Sequence, residues 1–410
     1  MDAFIARQPV FDAKLEVQAY ELLFRSGLVN ACTHHDLDQA SSKVIADSLF
    51  LPGLEALTCG RTAFVNITRD LLIREDVNLL PPATTVLEII ESVEADDEVL
   101  AACRRLKERG YRLAIDDYRP DAQHRRLLDV ADIVKVDVLV TGPAERVALA
   151  RQLRPRGIVM LAEKVESEDV FRQTREAGYQ LFQGYFFARP TIVKGRDIPG
   201  SKLSFLRILG EIHKPDLDLG ALGAIVEREV ALSYKLLRYI NSAFFGWNGD
   251  VNSINHALLL LGEREIKRWA SVIALAGMSS DKPGELQAHA LMRGRFCELL
   301  APGARLADRS SDLFLMGLFS LMDAMLDHPL DKVLDGLPLA QDVKDSMLGE
   351  AGPLRDVFDV VLAYSQGDWE ALSGPVKRLG LAEHDLPEIY VEALRWSGQS
   401  DATDVFSMAA

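Results

Sequence analysis

The sequence predicts an α/β barrel of parallel strands, with the first strand antiparallel, followed by an all-α module. Three observations carry that expectation. The first half alternates short β-branched runs with longer stretches of helical periodicity, the pattern of a parallel sheet. Eight such runs occur, the number that closes a barrel. Past about residue 190 the strand pattern stops, and apolar residues recur three and four apart.

The runs are FIARQPVF from Phe4, VQAYELLF from Val17, TAFVNIT from Thr62 and TTVLEII from Thr84. YRLAIDDY from Tyr111, DIVKVDVL from Asp132, GIVMLAEK from Gly157 and LFQGYFF from Leu181 follow. The link Asp12-Ala13-Lys14 between the first two is short, which suits an antiparallel hairpin. The later runs are separated by stretches such as DDEVLAACRRLKERG, which closes on Gly110 as a helix cap would. The acids of VEADDEVL, from Val93, fall at that helix's start, where they favour its dipole. A doubly wound open sheet is the alternative arrangement. Against it, no Gly-rich phosphate loop follows the first run.

From Arg189 the stretch RPTIVKGRDIPGSK, with two prolines and two glycines, reads as a linker. It divides an expected barrel domain, 1–198, from an expected helical domain, 199–410. Helical periodicity then runs through FLRILGEIH, LGALGAIVERE, SYKLLRYINSAFF, INHALLLLGEREIKRWASVIALAGM and DLFLMGLFSLMDAML.

Composition agrees with two cores. A chain of 410 residues exceeds one ordinary domain, and a hydrophobic fraction of 48% excludes a mostly disordered chain. The net charge of −15 argues against broad phosphate neutralisation on a nucleic-acid polymer, though not against a small anionic ligand. No run approaches the roughly 20 apolar residues of a membrane helix. The start MDAFIARQPVF lacks a signal-like pattern. Cys32, Cys59, Cys103 and Cys297 are far apart, so free thiols in a reducing cytoplasm are expected.

Barrel chemistry sits where strands end. The polar residues ending these runs are Glu21, Asn66, Glu88, Asp116 with Asp117, Lys135, Glu163 and Gln183. Acids and amides inside apolar strands are costly unless paired or bound to metal. Carboxylates and an amide suit hard cations such as Mg²⁺ or Mn²⁺, and no His or Cys falls among them to favour zinc. Paired cations typically serve phosphoester hydrolysis. Lys135 would orient water or offset charge, and Arg25 would hold a phosphate.

On these residues the first half, from Phe4 to Pro190, resembles an EAL domain, the phosphodiesterase fold that linearises cyclic di-GMP. ARQPVFD, with Gln8, is similar to its QPI segment, and Glu21-Leu22-Leu23 followed by Phe24-Arg25 is similar to its signature. FVNIT, LEIIES, Asp116-Asp117, VKVD, LAEKVES and Gln183-Gly184-Tyr185 before Arg189-Pro190 match in order and spacing. The resemblance implies two metals held by Glu21, Asn66, Glu88, Asp116 and Asp117. It implies catalytic roles for Glu21, Lys135 and Glu163, and substrate contacts from Gln8, Arg25 and Gln183. Glu91 would brace the substrate loop. Two departures stand out. Tyr118-Arg119-Pro120-Asp121-Ala122-Gln123-His124 replaces a loop with two glycines, and Pro fixes φ where Gly frees it. Leu22 replaces the signature alanine, which would add bulk beside the metals.

The second half resembles an HDOD domain, on SYKLLRYINSAFFG from Ser233 and SINHALLLLGEREIKRW from Ser253. Where metal-dependent relatives carry a His-Asp pair in GLLHD, this chain has Gly317-Leu318-Phe319-Ser320-Leu321. His213, His256, His289, His328 and His384 are scattered, without metal-like spacing. The aromatic stretch with Asn241, Phe244, Phe245 and Trp247 packs as a helix end or faces a partner.

The expected function is a cytoplasmic phosphodiesterase that opens cyclic di-GMP to linear pGpG with Mg²⁺ or Mn²⁺, slow or partner-regulated. The helical module would bind a protein partner, and a homodimer is among the expectations. The alternative is a cyclic di-GMP receptor, or a scaffold, that does not turn the ligand over.

Overall fold

The computed structural model describes residues 3–26, 54–74, 76–120, 122–188, 200–214, 217–228, 230–241, 251, 253–337 and 339–398. They form two units, each with its own core. The first unit comprises Met1–Arg189, Ala363–Gly374 and Glu383–Pro387, and the second comprises the remainder.

The strands of the first unit are β1 (Ala3–Asp12), β2 (Val17–Ser26), β3 (Thr62–Ile67) and β4 (Thr85–Ile89), then β5 (Arg112–Ile115), β6 (Ile133–Asp137), β7 (Val159–Glu163) and β8 (Leu181–Gln183). They close a barrel in chain order. β1 runs antiparallel to both its neighbours, and every other pair is parallel. The open-sheet alternative is therefore excluded. The hairpin forms where the short link predicts it. The Asp12 carboxylate accepts from the backbone N–H of Lys14 at 2.8 Å and of Glu16 at 3.0 Å, which ties the turn to its own side chain.

Helices α1 (Leu54–Thr58), α2 (Arg69–Arg74), α3 (Asp97–Glu108), α4 (Ala122–Leu127), α5 (Pro143–Leu153) and α6 (Glu168–Ala177) follow successive strands. The acids before α3 act at its start, as their position implies. Asp96 caps the helix by accepting from the Val99 N–H at 2.8 Å, and Arg69 reaches Asp96 and Glu98 at 2.8 and 2.7 Å.

Side chains alternate across a strand, so every second residue enters the barrel. One buried apolar residue from each of β1 to β7 forms the floor: Val10, Ala19, Phe64, Val86, Ala114, Ile133 and Leu161. Leu181 of β8 packs against them. Two residues nearer the mouth on each strand stand Gln8, Glu21, Asn66, Glu88, Asp116, Lys135, Glu163 and Gln183. The apolar floor thus supports a polar layer directly above it.

In the second unit no strand occurs among the described residues. Its helices are α7 (Gly200–Ile212), α8 (Leu219–Arg228), α9 (Val230–Ile240), α10 (Ile254–Met278), α11 (Gly284–Leu300) and α12 (Ser310–Phe319). α13 (Met322–Leu326), α14 (Leu330–Asp335), α15 (Gln341–Met347), α16 (Pro353–Gln366), α17 (Trp369–Leu379) and α18 (Leu386–Ser397) follow. The last turn of α16 and the start of α17 belong to the first unit. The sequence predicts one continuous helix across α10, but Gly262, at φ 75° and ψ 163°, breaks it into two segments. Ser320, in the segment that aligns with GLLHD, accepts from Arg293 Nη1 at 3.2 Å. Asn241 exchanges hydrogen bonds with Val251 at 2.8 and 2.7 Å. Phe244, Phe245 and Trp247 lie outside the described residues, as do most of the linker and Cys32. Cys59, Cys103 and Cys297 are free thiols. Burial pushes Cys103 up to about 11, far from a reactive thiolate.

Candidate active site at the barrel mouth

Lys135 is the centre of the polar layer. It projects inward from β6 above Ile133 and is 1% exposed. Its ammonium lies 3.1 Å from Glu21, 3.2 Å from Asp116 and 2.8 Å from Glu163, and it also contacts Glu88. Gln183 Nε2 donates to Glu21 Oε2 at 2.6 Å and to Gln8 Oε1 at 3.0 Å. Seven groups that the sequence spreads across the first half, Gln8, Glu21, Glu88, Asp116, Lys135, Glu163 and Gln183, therefore join in one hydrogen-bonded cluster.

Backbone geometry at β8 fixes Gln183. Gly184 has φ +144°, and a Cβ there would come within 2.1 Å of the Val165 carbonyl. Only glycine lets the strand end pass so close. The Val165 N–H then donates to the Gln183 carbonyl at 2.9 Å.

Four carboxylates facing one ammonium leave an excess of negative charge in a dry site. Burial alone would depress Lys135, but Glu21, Glu88, Glu163 and Asp116 outweigh it and hold its pKa well above the usual lysine value. The remaining imbalance is met by protons on the acids. Burial, then the Glu21 charge, raises Glu88 well above the carboxylate range. Burial pushes Glu163 up to about 8, against the pull of Lys135.

The layer keeps unused acceptors. Asn66 Oδ1, Glu88 Oε2, Glu163 Oε2 and Gln183 Oε1 are buried without a hydrogen-bond partner. Such atoms ordinarily find one, and hard oxygen donors of this kind suit a divalent cation. Among the described residues, however, no three His, Cys, Asp or Glu side chains are already disposed as metal ligands. Lys135 takes the common point instead. The donor set fits a cation chemically, and the acids would have to turn from the ammonium to hold one.

Asp117 stands beside this layer at φ 40°. Burial and the Asp116 charge push its carboxyl up, against Lys164. Glu91 is exposed and stays outside the cluster. Arg25 lies in β2 opposite Phe4, and its side chain is outside the described residues. Leu22 corrects an expectation. Its neighbour Glu21 points inward, so Leu22 points outward, paired in register with Arg7 and fully buried. The extra bulk does not enter the site. The altered loop begins with Tyr118, which is buried and whose N–H donates to the Lys135 carbonyl at 3.0 Å.

The strand-end criterion missed Asp137 and Lys164, which pair at 2.5 Å. Burial works against the Asp137 anion, yet Lys164 and the Leu139 N–H hold its pKa below the usual carboxylate value. Their signal was present: they follow Lys135 and Glu163 by two residues and by one, in VKVD and LAEK.

Known domain families and proteins match both halves of this chain. The EAL domain model matches residues 55–190 and the HDOD domain model matches residues 198–324. The cyclic di-GMP phosphodiesterase CdgJ of Vibrio cholerae is 34% identical over 400 residues, covering 96% of this chain and 92% of CdgJ. The uncharacterized protein YuxH of Bacillus subtilis is 33% identical over 408 residues, covering 97% of this chain and 98% of YuxH. Among solved structures, the manganese and cyclic di-GMP complex of Klebsiella pneumoniae BlrP1 aligns over 45% of this chain and 55% of its own, at 23% identity and a TM-score of 0.40.

Proposed function

The chain belongs to the family that joins an EAL domain to an HDOD domain, and on that premise we propose that its barrel is a metal-dependent phosphodiesterase opening cyclic di-GMP to linear pGpG. The observation that carries the reading is the single layer of polar side chains, one per strand, with four carboxylates converging on Lys135 and buried acceptors still unused. Glu21, Asn66, Glu88, Asp116 and Asp117 would hold two divalent cations, Mg²⁺ or Mn²⁺. Such cations would supply the charge that acidifies water and neutralises phosphate oxygens. Lys135 holds an ammonium against the developing negative charge, and Glu163 carries a proton that it can give up or take back near neutral pH. Gln8, Gln183 and Arg25 would hold the dinucleotide, and Glu91 would brace the loop after Asp117. In the reaction a water oxygen bonds to phosphorus, one ribose–phosphate bond breaks, and the departing oxygen takes up a proton. The helical module would bind a protein partner and set the rate, in a cytoplasmic protein that pairs with a second copy.

One observation favours a second reading, a receptor that binds without turnover. The acids are engaged by Lys135 rather than disposed around a metal, and the loop beside them is altered. A single assay separates the two readings: purified protein with cyclic di-GMP and Mg²⁺ or Mn²⁺, beside Glu21→Ala. Hydrolysis predicts linear product from the wild type and none from the variant, with the fold retained. Binding without product under either metal would establish the receptor. Absence of binding at tens of micromolar ligand would overturn both.

A further inference from the structure

The barrel unit contains a piece of chain from far along the sequence, Ala363–Gly374. Within it, the turn between α16 and α17 lies against the β1–β2 hairpin. The Phe4 ring is 6.0 Å from Tyr364 and 5.6 Å from Trp369, and those two rings meet edge to face at 5.3 Å. The Gln366 carbonyl accepts from Gln8 Nε2 at 3.4 Å, and the Ser365 carbonyl accepts from the Tyr185 hydroxyl at 3.2 Å. Gly367, at φ +70°, fits so closely that a Cβ there would lie 2.8 Å from Leu23 Cδ1 and 3.8 Å from Ala6 Cβ.

The position of these contacts is informative. Phe4, Ala6 and Gln8 share the face of β1 that also carries Val10, and Leu23 shares the face of β2 that carries Glu21. β1 is antiparallel, so its early residues stand at the mouth, above the polar layer. The turn therefore covers one edge of the mouth. It also occupies the amide N–H of Gln8, whose carbonyl oxygen accepts from Gln183 inside the layer. Two of its polar ties are neutral hydrogen bonds, one of them long and exposed, and such bonds net little against water. Its anchors are the aromatic rings at either side of Gly367. The flanking residues, up to Leu362 and from Pro375, belong to the other unit.

We propose that residues 364–369 form a latch on the ligand mouth, an autoinhibitory contact that cyclic di-GMP must displace to reach Gln8 and the Leu23 edge. The inference rests on the ligand reading given above. It makes the affinity of the barrel depend on how firmly this distant turn is seated.

A reversible cross-link tests it in the full chain. A Cβ at Gly367 lies 3.8 Å from Ala6 Cβ, within the roughly 3.5–4.5 Å that a disulfide needs. Ala6→Cys with Gly367→Cys is oxidised, the bond is verified by mass, and cyclic di-GMP binding is followed by calorimetry before and after reduction. The latch predicts at least tenfold weaker binding in the oxidised form and recovery on reduction, with the wild type unmoved by the same oxidant. Gly367→Val, which unseats the turn, should tighten binding several-fold. Equal affinity of the oxidised and reduced forms would overturn the latch while leaving the ligand reading intact, as would failure of the cross-link to form. A wild type that does not bind would overturn the ligand reading and the latch with it.

Discussion

At neutral pH Glu163 keeps its proton, because burial withholds the water that would stabilise its anion. An unfolded chain ionises the same carboxyl near 4.5, whereas the folded one does so near 8. The folded protein thus binds the proton more tightly across that interval. The stability this contributes is full below about 4.5 and is lost as pH rises through about 8. One such group sets a slope of at most about 1.4 kcal/mol per pH unit. Glu163→Gln cannot titrate. Metal-free Glu163→Gln should therefore lose less thermal stability than the wild type between about pH 5 and pH 8, the interval between the unfolded and folded ionisation of Glu163. Parallel melting curves for the two proteins would refute this account by showing the same fall. Lys135 was legible as a strand-end cation among acids, but its contact with four carboxylates at once was not. Sequence spacing gives the strand on which a residue stands, and only barrel closure tells which neighbours it meets.

Each of β1 to β7 contributes one floor residue and, two positions nearer the mouth, one polar residue. This pairing made the barrel readable. Val10 with Gln8, Phe64 with Asn66 and Ile133 with Lys135 are all period-two pairs in the linear sequence. The same rule, applied to Glu21, would have sent Leu22 outward, so that misreading had its remedy in the sequence. The floor is where an element-scale loss should be largest. Phe64 is 2% exposed at the centre of the apolar ring, and Phe64→Ala should destabilise the barrel by about 3–5 kcal/mol, read from urea unfolding. A loss below about 1 kcal/mol would mean that the floor collapses to fill the space. The break of α10 at Gly262 was less readable, because apolar spacing continues on both sides of a residue that alone adopts φ 75°.

At the scale of the molecule, the net charge of −15 includes a group of acids buried together at one mouth. A cation that binds the folded barrel and not the unfolded chain stabilises the fold by mass action, by about 2.7 kcal/mol at a hundred times its Kd. Mn²⁺ or Mg²⁺ should therefore raise the melting temperature by several degrees, and EDTA should reverse the rise. No shift with either ion would remove the metal from the proposed function. The turn at 363–374 was invisible to sequence reading for a physical reason. A contact between the ends of a long chain leaves no local periodicity, and its residues look like any helix connection. Lys135 has one more consequence, for how the protein comes into being. A barrel that had to wait for an ion to neutralise its acids would fold only where that ion was plentiful. With an ammonium of its own at the centre, this one offsets part of that charge itself as the strands close, so its assembly need not wait for an ion.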